Sequence, residues 1–373
     1  MRMRIALATL VIAVLLLASC ATSVSVSYMN PSEIDMGRMR TVAVASCVPF
    51  EGFHAPSRYV RAFDSMSAAY SRIPSSYDRH LADDVASYAT DRLVAGLSST
   101  GFFQLVSPSV TDTLVAMNRA GMSIGDEVER LGIDAFIVPR IVSMDVNEYV
   151  SSEREYYYDH SRLDSDGDPL RLVRYRYYLT QTVSIVYSYT VIDARTMTVY
   201  ATKSFSDKRE YVDEVTSRLF SPVRVQRRYE IMMDDIISIV VTQLAPQRRH
   251  VSIDLMDNRP KLKEVERAYD LVKDGDIASA RSLFRQAWAG ERHLPSGYNY
   301  ALLCAVGGDI EGAIGVLEEV SDSYVDEDVE ALLERLVTLD RRNQEAMSQI
   351  RGDGVPVSYV DGSASIFTLV MGD

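Results

Sequence analysis

Two hydrophobic periods divide the chain and predict two kinds of structure. Up to about residue 245, β-rich runs alternate with stretches whose apolar positions recur every three or four residues. This succession predicts strand, helix, strand, helix, strand, strand, strand and helix, with antiparallel pairing among the later strands. The predicted elements lie at residues 41–48, 81–97, 102–106, 111–119 with 124–131, 135–146, 173–192, 197–205 and 229–244. The first part of the chain is therefore expected to be a mixed α/β sheet domain.

A long hairpin is predicted around Asp166-Gly167, because this pair is favoured in two-residue type I′ turns. A turn at that point makes the apolar sides of the two strands coincide. The apolar positions are Val142, Met144, Val146 and Val150 on one strand and Val183, Ile185, Tyr187, Tyr189 and Val191 on the other. At about 3.3 Å per residue such a hairpin is longer than the domain, so its outer half is expected to project.

Six tyrosines in and beside this outer half are candidate partner-binding residues. In the predicted register Tyr156 faces Tyr177, and Tyr158 faces Tyr175. An exposed recognition surface and simple cross-strand packing explain the aromatic run equally well. Arg154 on the same row would be unfavourable in lipid, which favours an arm that touches a partner over a membrane strand. The candidates are Tyr156, Tyr157, Tyr158, Tyr175, Tyr177 and Tyr178.

After residue 260 a 33-residue repeat replaces the sheet pattern. Small residues at fixed positions let two helices approach, and large ones fill the space between them. The repeated positions are Ala268, Leu271, Gly275, Ala280, Phe284 and Ala287, followed by Ala301, Cys304, Gly308, Ala313, Leu317 and Val320. The pattern predicts an all-α helical-repeat domain at residues 251–350, with Ala280 and Ala313 at close helix contacts. Residues 351–373 are expected to form a tail with a small hairpin.

The N-terminus has the layout of a secretory signal: a basic start, an apolar run at residues 5–17 and two small residues before Cys20. The run is shorter than the roughly 20 residues that a membrane-spanning helix needs. This stretch resembles a bacterial lipobox, which implies that residues 1–19 are removed and that Cys20 is acylated, with palmitate expected. An ordinary signal with a chance cysteine is the alternative. Ala21, in place of a retention aspartate, favours the outer membrane, and residues 20–37 are expected to be a flexible tether.

The net charge indicates which class of partner the chain disfavours, and the cysteine content bears on whether it contains a disulfide. Removing residues 1–19 takes two arginines from the 39 basic residues and none from the 52 acidic ones, so the net charge goes from −13 to −15. Such a charge argues against nucleic acid. Cys47 and Cys304 are expected to be two separate buried thiols, with a disulfide between them as the alternative.

No catalytic motif is recognisable in the sequence. A nucleophile elbow, a P-loop, a dinucleotide glycine fingerprint and the H-E-x-x-H zinc motif are all missing, and the five histidines have no metal-ligand spacing. Residues 164–168 carry alternating aspartates, but Pro169 and Tyr175 occupy the places that a calcium loop gives to glycine and glutamate. A hairpin turn is therefore favoured over a calcium site. The chain is expected to be non-enzymatic, without cofactor or metal.

Four segments carry a family resemblance: R-T-V-A-V-A at 40–45, T-G-F-F-Q-L-V at 100–106, L-G-I-D-A-F-I-V at 131–138 and V-I-D-A-R-T at 191–196. With the order of elements, they resemble the α/β domain of the curli secretion channel CsgG and the penicillin-binding-protein activator LpoB. This implies an α/β domain at residues 38–250 that binds protein partners in the envelope. The A-x3-F-x2-A run at 280–287 resembles tetratricopeptide repeats.

These features predict a non-catalytic, lipid-tethered envelope lipoprotein that acts as an adaptor or scaffold for an envelope protein. It is expected at the outer membrane, facing the periplasm or the cell surface. The alternative is a subunit of a CsgG-like secretion pore, which would be a homo-oligomer. A cryptic hydrolase is a third and weaker hypothesis.

Overall fold

The computed structural model describes residues 22–51, 80–215 and 225–352. Within these ranges the chain divides into two compact units, residues 33–245 and residues 22–32 with 246–352. The first unit is a mixed sheet with helices and the second is mainly helical, so the predicted fold class is confirmed. The signal peptide, Cys20 and the expected C-terminal hairpin lie outside the described residues.

The elements are numbered in chain order. The strands are β1 (Ser23–Asn30), β2 (Thr41–Val44), β3 (Gln104–Val106), β4 (Ala135–Leu163), β5 (Pro169–Asp193), β6 (Val199–Val215) and β7 (Gln247–Asp254). The helices are α1 (Leu81–Ser99), α2 (Pro108–Arg119), α3 (Gly125–Leu131), α4 (Val225–Leu244), α5 (Glu266–Lys273), α6 (Ile277–Glu291), α7 (Leu294–Val306), α8 (Ile310–Ser323) and α9 (Glu327–Arg351). A 3₁₀ turn, Lys263–Val265, precedes α5.

Five strands form the sheet of the first unit in the order β3-β2-β4-β5-β6. The three strands β3, β2 and β4 run parallel, and β4, β5 and β6 are antiparallel. Helices cover both faces of the sheet at its base, which explains why β2 is apolar at consecutive positions. Val42 and Val44 pack with α1 and α4, whereas Ala43 and Ala45 pack with α2 and α3.

The long hairpin is present, but its predicted register is wrong by four residues. Met144 lies opposite Ile185 and not Tyr189. The displacement is an even number of residues, so the apolar faces still coincide. A bulge between Ile141 and Ser143 causes a second difference, because it leaves Val142 44% exposed and gives the buried position to Ile141.

Three extra residues near the tip explain most of the displacement. Between Asp159 and Leu163, residues 160–162 of β4 have no partner on β5. Asp159 Oδ1 accepts hydrogen bonds from the Ser161 backbone N–H at 3.0 Å and from the Ser161 hydroxyl at 2.6 Å. This local side-chain contact takes the place of ladder hydrogen bonds.

The hairpin loop is residues 164–168, which confirms a turn at this position but not the two-residue turn that was predicted. Asp164 Oδ1 accepts hydrogen bonds from the backbone N–H groups of Asp166 and Asp168, each at 3.0 Å. Gly167 adopts a φ of +86°, a conformation that a glycine reaches without strain. The Asp164 side chain therefore stabilises the turn from within the loop.

The second unit corrects the prediction of a flexible tether at residues 20–37. β1 pairs along its whole length with β7 in an antiparallel ribbon, from Ser23 opposite Asp254 to Asn30 opposite Gln247. Val24 and Val26 are buried in the core that the helices form. The alternation of serine and valine at residues 23–26 is the pattern of a half-buried strand. The boundary at 250/251 is likewise shifted to 245/246.

The 33-residue repeat corresponds to two helix pairs, α5 with α6 and α7 with α8. Asp276 caps α6 by accepting a hydrogen bond from the Ser279 N–H at 3.1 Å, and Asp309 caps α8 from the Gly312 N–H at 2.9 Å. The predicted close-contact residues Ala280 and Ala313 are both fully buried. Helix α9 follows the second pair.

Cys47 and Cys304 are free, buried and in different units, which confirms two separate thiols. Burial raises the pKa of the Cys47 thiol to about 12. No helix in the described ranges combines the length and the apolar character that crossing a membrane requires.

Candidate functional site

The outer part of the β4–β5 hairpin, residues 152–176, is called the arm. It begins beyond the last pairing of β5 with β6, which joins Tyr177 to Val215. At about 3.3 Å per residue, the strand from residue 152 to Leu163 is roughly 40 Å long. Every residue of the arm is exposed or half-buried. The arm is therefore a two-stranded ribbon with solvent on both faces.

The two faces of the arm differ because side chains alternate along each strand. The first, called the tyrosine–arginine face, carries Arg154, Tyr156, Tyr158, Arg171, Val173 and Tyr175. The second, called the ion-paired face, carries Glu153, Glu155, Tyr157, Leu172, Arg174 and Arg176. Tyr177 and Tyr178 lie at the root of the arm, on the first and second face respectively. The six predicted tyrosines are thus divided four to two between the faces.

Arginine side chains, and not other tyrosines, cover the ring of Tyr156. In the observed register Val173 lies opposite Tyr156, and Arg171 lies opposite Tyr158. The guanidinium carbon of Arg171 is 3.9 Å from the centroid of the Tyr156 ring, and that of Arg154 is 4.8 Å away. The predicted tyrosine–tyrosine pairs are therefore replaced by cation–π contacts.

The charges of the ion-paired face are matched within that face. Glu155 Oε2 accepts hydrogen bonds from Arg174 Nε at 2.6 Å and from Arg176 Nε at 2.8 Å. The hydrogen bond from Arg174 is the main reason that the pKa of Glu155 is lowered. Glu153 Oε2 accepts a hydrogen bond from the Tyr178 hydroxyl at 3.3 Å. This face has few charges left over for a partner.

The tyrosine–arginine face has unmatched positive charge. Within the described ranges neither Arg154 nor Arg171 forms an ion pair. Four other arginines do: two on the ion-paired face, one on β6 and one on α4. A guanidinium that lies against an aromatic ring keeps its N–H edge available for a carboxylate. The face therefore combines apolar area with two oriented cationic donors.

A second location, the carboxyl end of β2, is where open α/β sheets commonly bind ligands. A hollow of about 480 Å³ there is lined by residues that include Ser46, Asp112 and Arg119. The carboxylate of Asp112 accepts hydrogen bonds from the Ser46 backbone N–H at 2.9 Å and from its hydroxyl at 2.6 Å. These bonds tie the end of β2 to α2. A serine nucleophile needs a neighbouring base, and no histidine of the described ranges lines this hollow.

No family model matches the chain. No curated protein matches it. Among solved structures, the chain is similar to a PelC dodecamer from Paraburkholderia phytofirmans and to a point variant of that dodecamer. The variant is 11% identical, with a TM-score of 0.22, over 59% of this chain and 99% of that chain. The other is 9% identical, with a TM-score of 0.22, over 59% of this chain and 97% of that chain. Likeness at this level carries no conclusion about activity.

The sequence pattern found the tyrosines but missed their arginine partners. Arg171 is brought next to Tyr156 by the three unpaired residues at 160–162, which set the register of the whole arm. The available signal was the placement of Arg154 on the tyrosine row. Among the described residues, no group of three or more histidine, cysteine, aspartate or glutamate side chains is placed to hold a metal ion.

Proposed function

We propose that this protein is a non-catalytic lipoprotein of the bacterial envelope, tethered through Cys20 to the outer membrane, whose arm binds a protein partner. One observation carries the proposal: a ribbon roughly 40 Å long that has no buried residue and presents tyrosine and arginine on one face. Tyrosine and arginine are the side chains that most often dominate the binding energy of protein interfaces.

The energetics of the ribbon support this role. A two-stranded hairpin is only marginally stable in water when nothing packs on its faces. In the arm, the ladder, a few exposed hydrogen bonds, the ion pairs of Glu155 and the cation–π contacts of Tyr156 and Tyr157 contribute, without any buried side chain. A partner that covers one face would supply the missing apolar burial, and tyrosines lose little conformational entropy when they are ordered.

The helical unit supplies a second surface under the same proposal. Its helix pairs repeat every 33 residues, as tetratricopeptide repeats would, and such stacks commonly hold a peptide or a helix. The adaptor would then join one partner at the arm to another at the repeats.

The alternative, a CsgG-like pore subunit, is less well supported by β6. From Ala201 to Glu214, buried or half-buried positions alternate strictly with exposed ones. Its exposed row is Thr202, Ser204, Ser206, Lys208, Glu210, Val212 and Glu214. A lysine at a lipid-facing position near the bilayer centre is unfavourable by about 2–4 kcal/mol, so this row is suited to water.

Two experiments test the proposal. Metabolic labelling with a tagged fatty acid should mark the natural chain and leave the Cys20→Ala variant unlabelled and released from the membrane. Label retained by Cys20→Ala would contradict the tether.

The arm is tested by a variant in which residues 155–174 are replaced by Asn-Gly, joining Arg154 to its register partner Tyr175. We expect an unchanged melting temperature and the loss of the partner that copurifies from cross-linked envelopes. A variant with Tyr156→Ser, Tyr158→Ser and Tyr175→Ser should lose it too, whereas the control Tyr157→Ser should keep it. Retention of the same partner by the shortened arm would contradict the proposal.

A further inference from the structure

The tyrosine–arginine face carries guanidiniums on the stem of the arm, and the tip carries carboxylates. Between Leu163 and Leu170 the tip carries Asp164, Asp166 and Asp168, and Arg162 lies just before it, so three negative charges outnumber one positive charge there. The whole loop is exposed. The stem carries Arg154 and Arg171 on the tyrosine–arginine face, and within the described ranges neither forms an ion pair.

The geometry of both ends is fixed before any contact is made. Asp164 uses its own carboxylate to hold the backbone N–H groups of Asp166 and Asp168, each at 3.0 Å. The carboxylates of Asp166 and Asp168 accept no hydrogen bond from the rest of the described chain and form no ion pair with it. On the stem, the Tyr156 ring holds both guanidiniums within 5 Å of its centroid. Both sets of groups are therefore oriented for a partner of opposite charge.

We infer that the partner of the arm is a second copy of this chain, and that two arms pack antiparallel with the acidic tip of each against the Arg154–Tyr156–Arg171 stack of the other. This inference rests on the proposed role of the arm as a docking surface. Both halves of the contact are present on one arm, so a two-fold axis makes each contact twice. In this overlap Val173 and Tyr175, which lie level with Tyr156 and Arg154, also face the partner's tip, and Tyr158 lies between the two contacts.

The projection of the arms accounts for how two acidic molecules could associate. Without residues 1–19 each chain has 37 basic and 52 acidic residues and a net charge of −15, so direct contact between the bodies would be repulsive. Arms roughly 40 Å long keep the bodies several Debye lengths apart, since this length is about 8 Å at physiological salt. Two ribbons of this width bury an area at the low end of specific interfaces, so the dimer should be weak and salt-dependent.

Sedimentation velocity of the purified mature chain in detergent tests the inference. The wild-type chain should dimerise at low salt with a dissociation constant on the order of micromolar, and high salt should shift it toward monomer. Two charge-swap variants, Arg154→Glu with Arg171→Glu and Asp166→Lys with Asp168→Lys, should each weaken self-association about tenfold or more. When the two variants are mixed, both contacts regain opposite charges, so a heterodimer should form with nearly wild-type affinity.

The control is Arg248→Glu with Arg249→Glu, which makes the same change in net charge as Arg154→Glu with Arg171→Glu, but on exposed β7 residues outside the arm. It should associate like the wild type, and all variants should keep the wild-type melting temperature. A wild-type chain that stays monomeric at low salt, or a mixture that fails to associate, overturns the inference. In that event the loss of an envelope partner by the shortened arm would still support the proposed function, so the two failures are distinguishable.

Discussion

The arm and the base of the β4–β5 hairpin, which is the part of β4 and β5 outside residues 152–176, contain the same kind of side chain in opposite environments. In the base, Tyr187 and Tyr189 are fully buried, whereas in the arm Tyr158 is 58% exposed and Tyr175 is 55% exposed. Both pairs lie on the same continuous strands. The difference comes from what covers the strand: α1 and α4 pack over the base, and nothing in the described chain packs over the arm. Tyrosine therefore stabilises the fold in one half and is available for recognition in the other.

The two environments also differ in how they hold the rings. In the base, the Tyr189 hydroxyl donates to Gln243 Oε1 at 2.9 Å, and its ring stacks on Phe205 at 6.2 Å. Burial raises the pKa of Tyr189. In the arm, two exposed arginines pack on the ring of Tyr156, and no described helix covers it. The base should thus be sensitive to substitution and the arm tolerant, and this contrast can be measured.

The largest expected difference is between Tyr187→Ala and Tyr158→Ala. Removing the buried ring of Tyr187 should lower the free energy of unfolding by about 3–5 kcal/mol. Removing the exposed ring of Tyr158 should change it by less than about 0.5 kcal/mol. Urea unfolding measures both. The Tyr187 hydroxyl is buried without a partner in the described chain, so Tyr187→Phe should be neutral or stabilising, and a large loss there would contradict this description of the base.

Thiol reactivity gives the next contrast. With a pKa of about 12, Cys47 beside the base should react with a disulfide reagent about a thousandfold more slowly than a cysteine of ordinary pKa near 9. A cysteine introduced by Tyr158→Cys in the arm should react at the ordinary rate. Because the thiol pKa is higher in the folded chain than in the unfolded chain, ionisation of the unfolded state should lower stability as the pH rises from about 9 to 12.

The register of the arm is open to a disulfide test in a background with Cys47→Ala and Cys304→Ala. The pair Tyr156→Cys with Val173→Cys should oxidise readily, because those residues face each other. The pair Tyr156→Cys with Tyr177→Cys should not, since a displacement of four residues separates the α carbons by roughly 13 Å along the strand. The opposite result would support the register that a two-residue turn at Asp166-Gly167 predicts.

The smallest expected effect concerns the unpaired residues 160–162 next to the tip. A hydrogen bond from the Ser161 side chain is the main reason that the pKa of Asp159 is lowered. The stabilisation is therefore present above the ordinary pKa of an aspartate, near 3.9, and is lost as the pH falls through the folded value. Asp159→Asn should speed amide hydrogen exchange near Ser161 at neutral pH and leave the base unchanged. Equal acceleration in the base would show that the two halves are coupled.

The sequence predicted which side chains of this hairpin share a face, but not which residues lie opposite each other. The reason is physical. Apolar burial in the base distinguishes even from odd displacements, because an odd one turns every side chain to the other face. It does not distinguish a displacement of four. That choice was made by Asp159 and Ser161, whose local hydrogen bonds take residues 160–162 out of the ladder. A single aspartate and a single serine are too common to signal such a bulge.

Long-range pairing explains why the sequence did not predict strand β1. Nothing near residues 23–30 identifies β7, the strand with which they pair, because its sequence lies on the far side of the whole sheet unit. The helical repeat was visible because its small residues recur at a fixed spacing within one region. The tyrosines of the candidate site were visible for the same reason, whereas their arginine partners depend on the register.

The central claim is that the arm is covered by a protein in the cell. A photo-crosslinking phenylalanine analogue placed at Tyr158 tests it directly, with Ile239 on α4, which is 48% exposed, as the matched surface control. After irradiation of intact cells, the chain with the analogue at Tyr158 should migrate as a discrete cross-linked product, and the control should not. A chain that shows no product at Tyr158, or equal products at both positions, would contradict the claim.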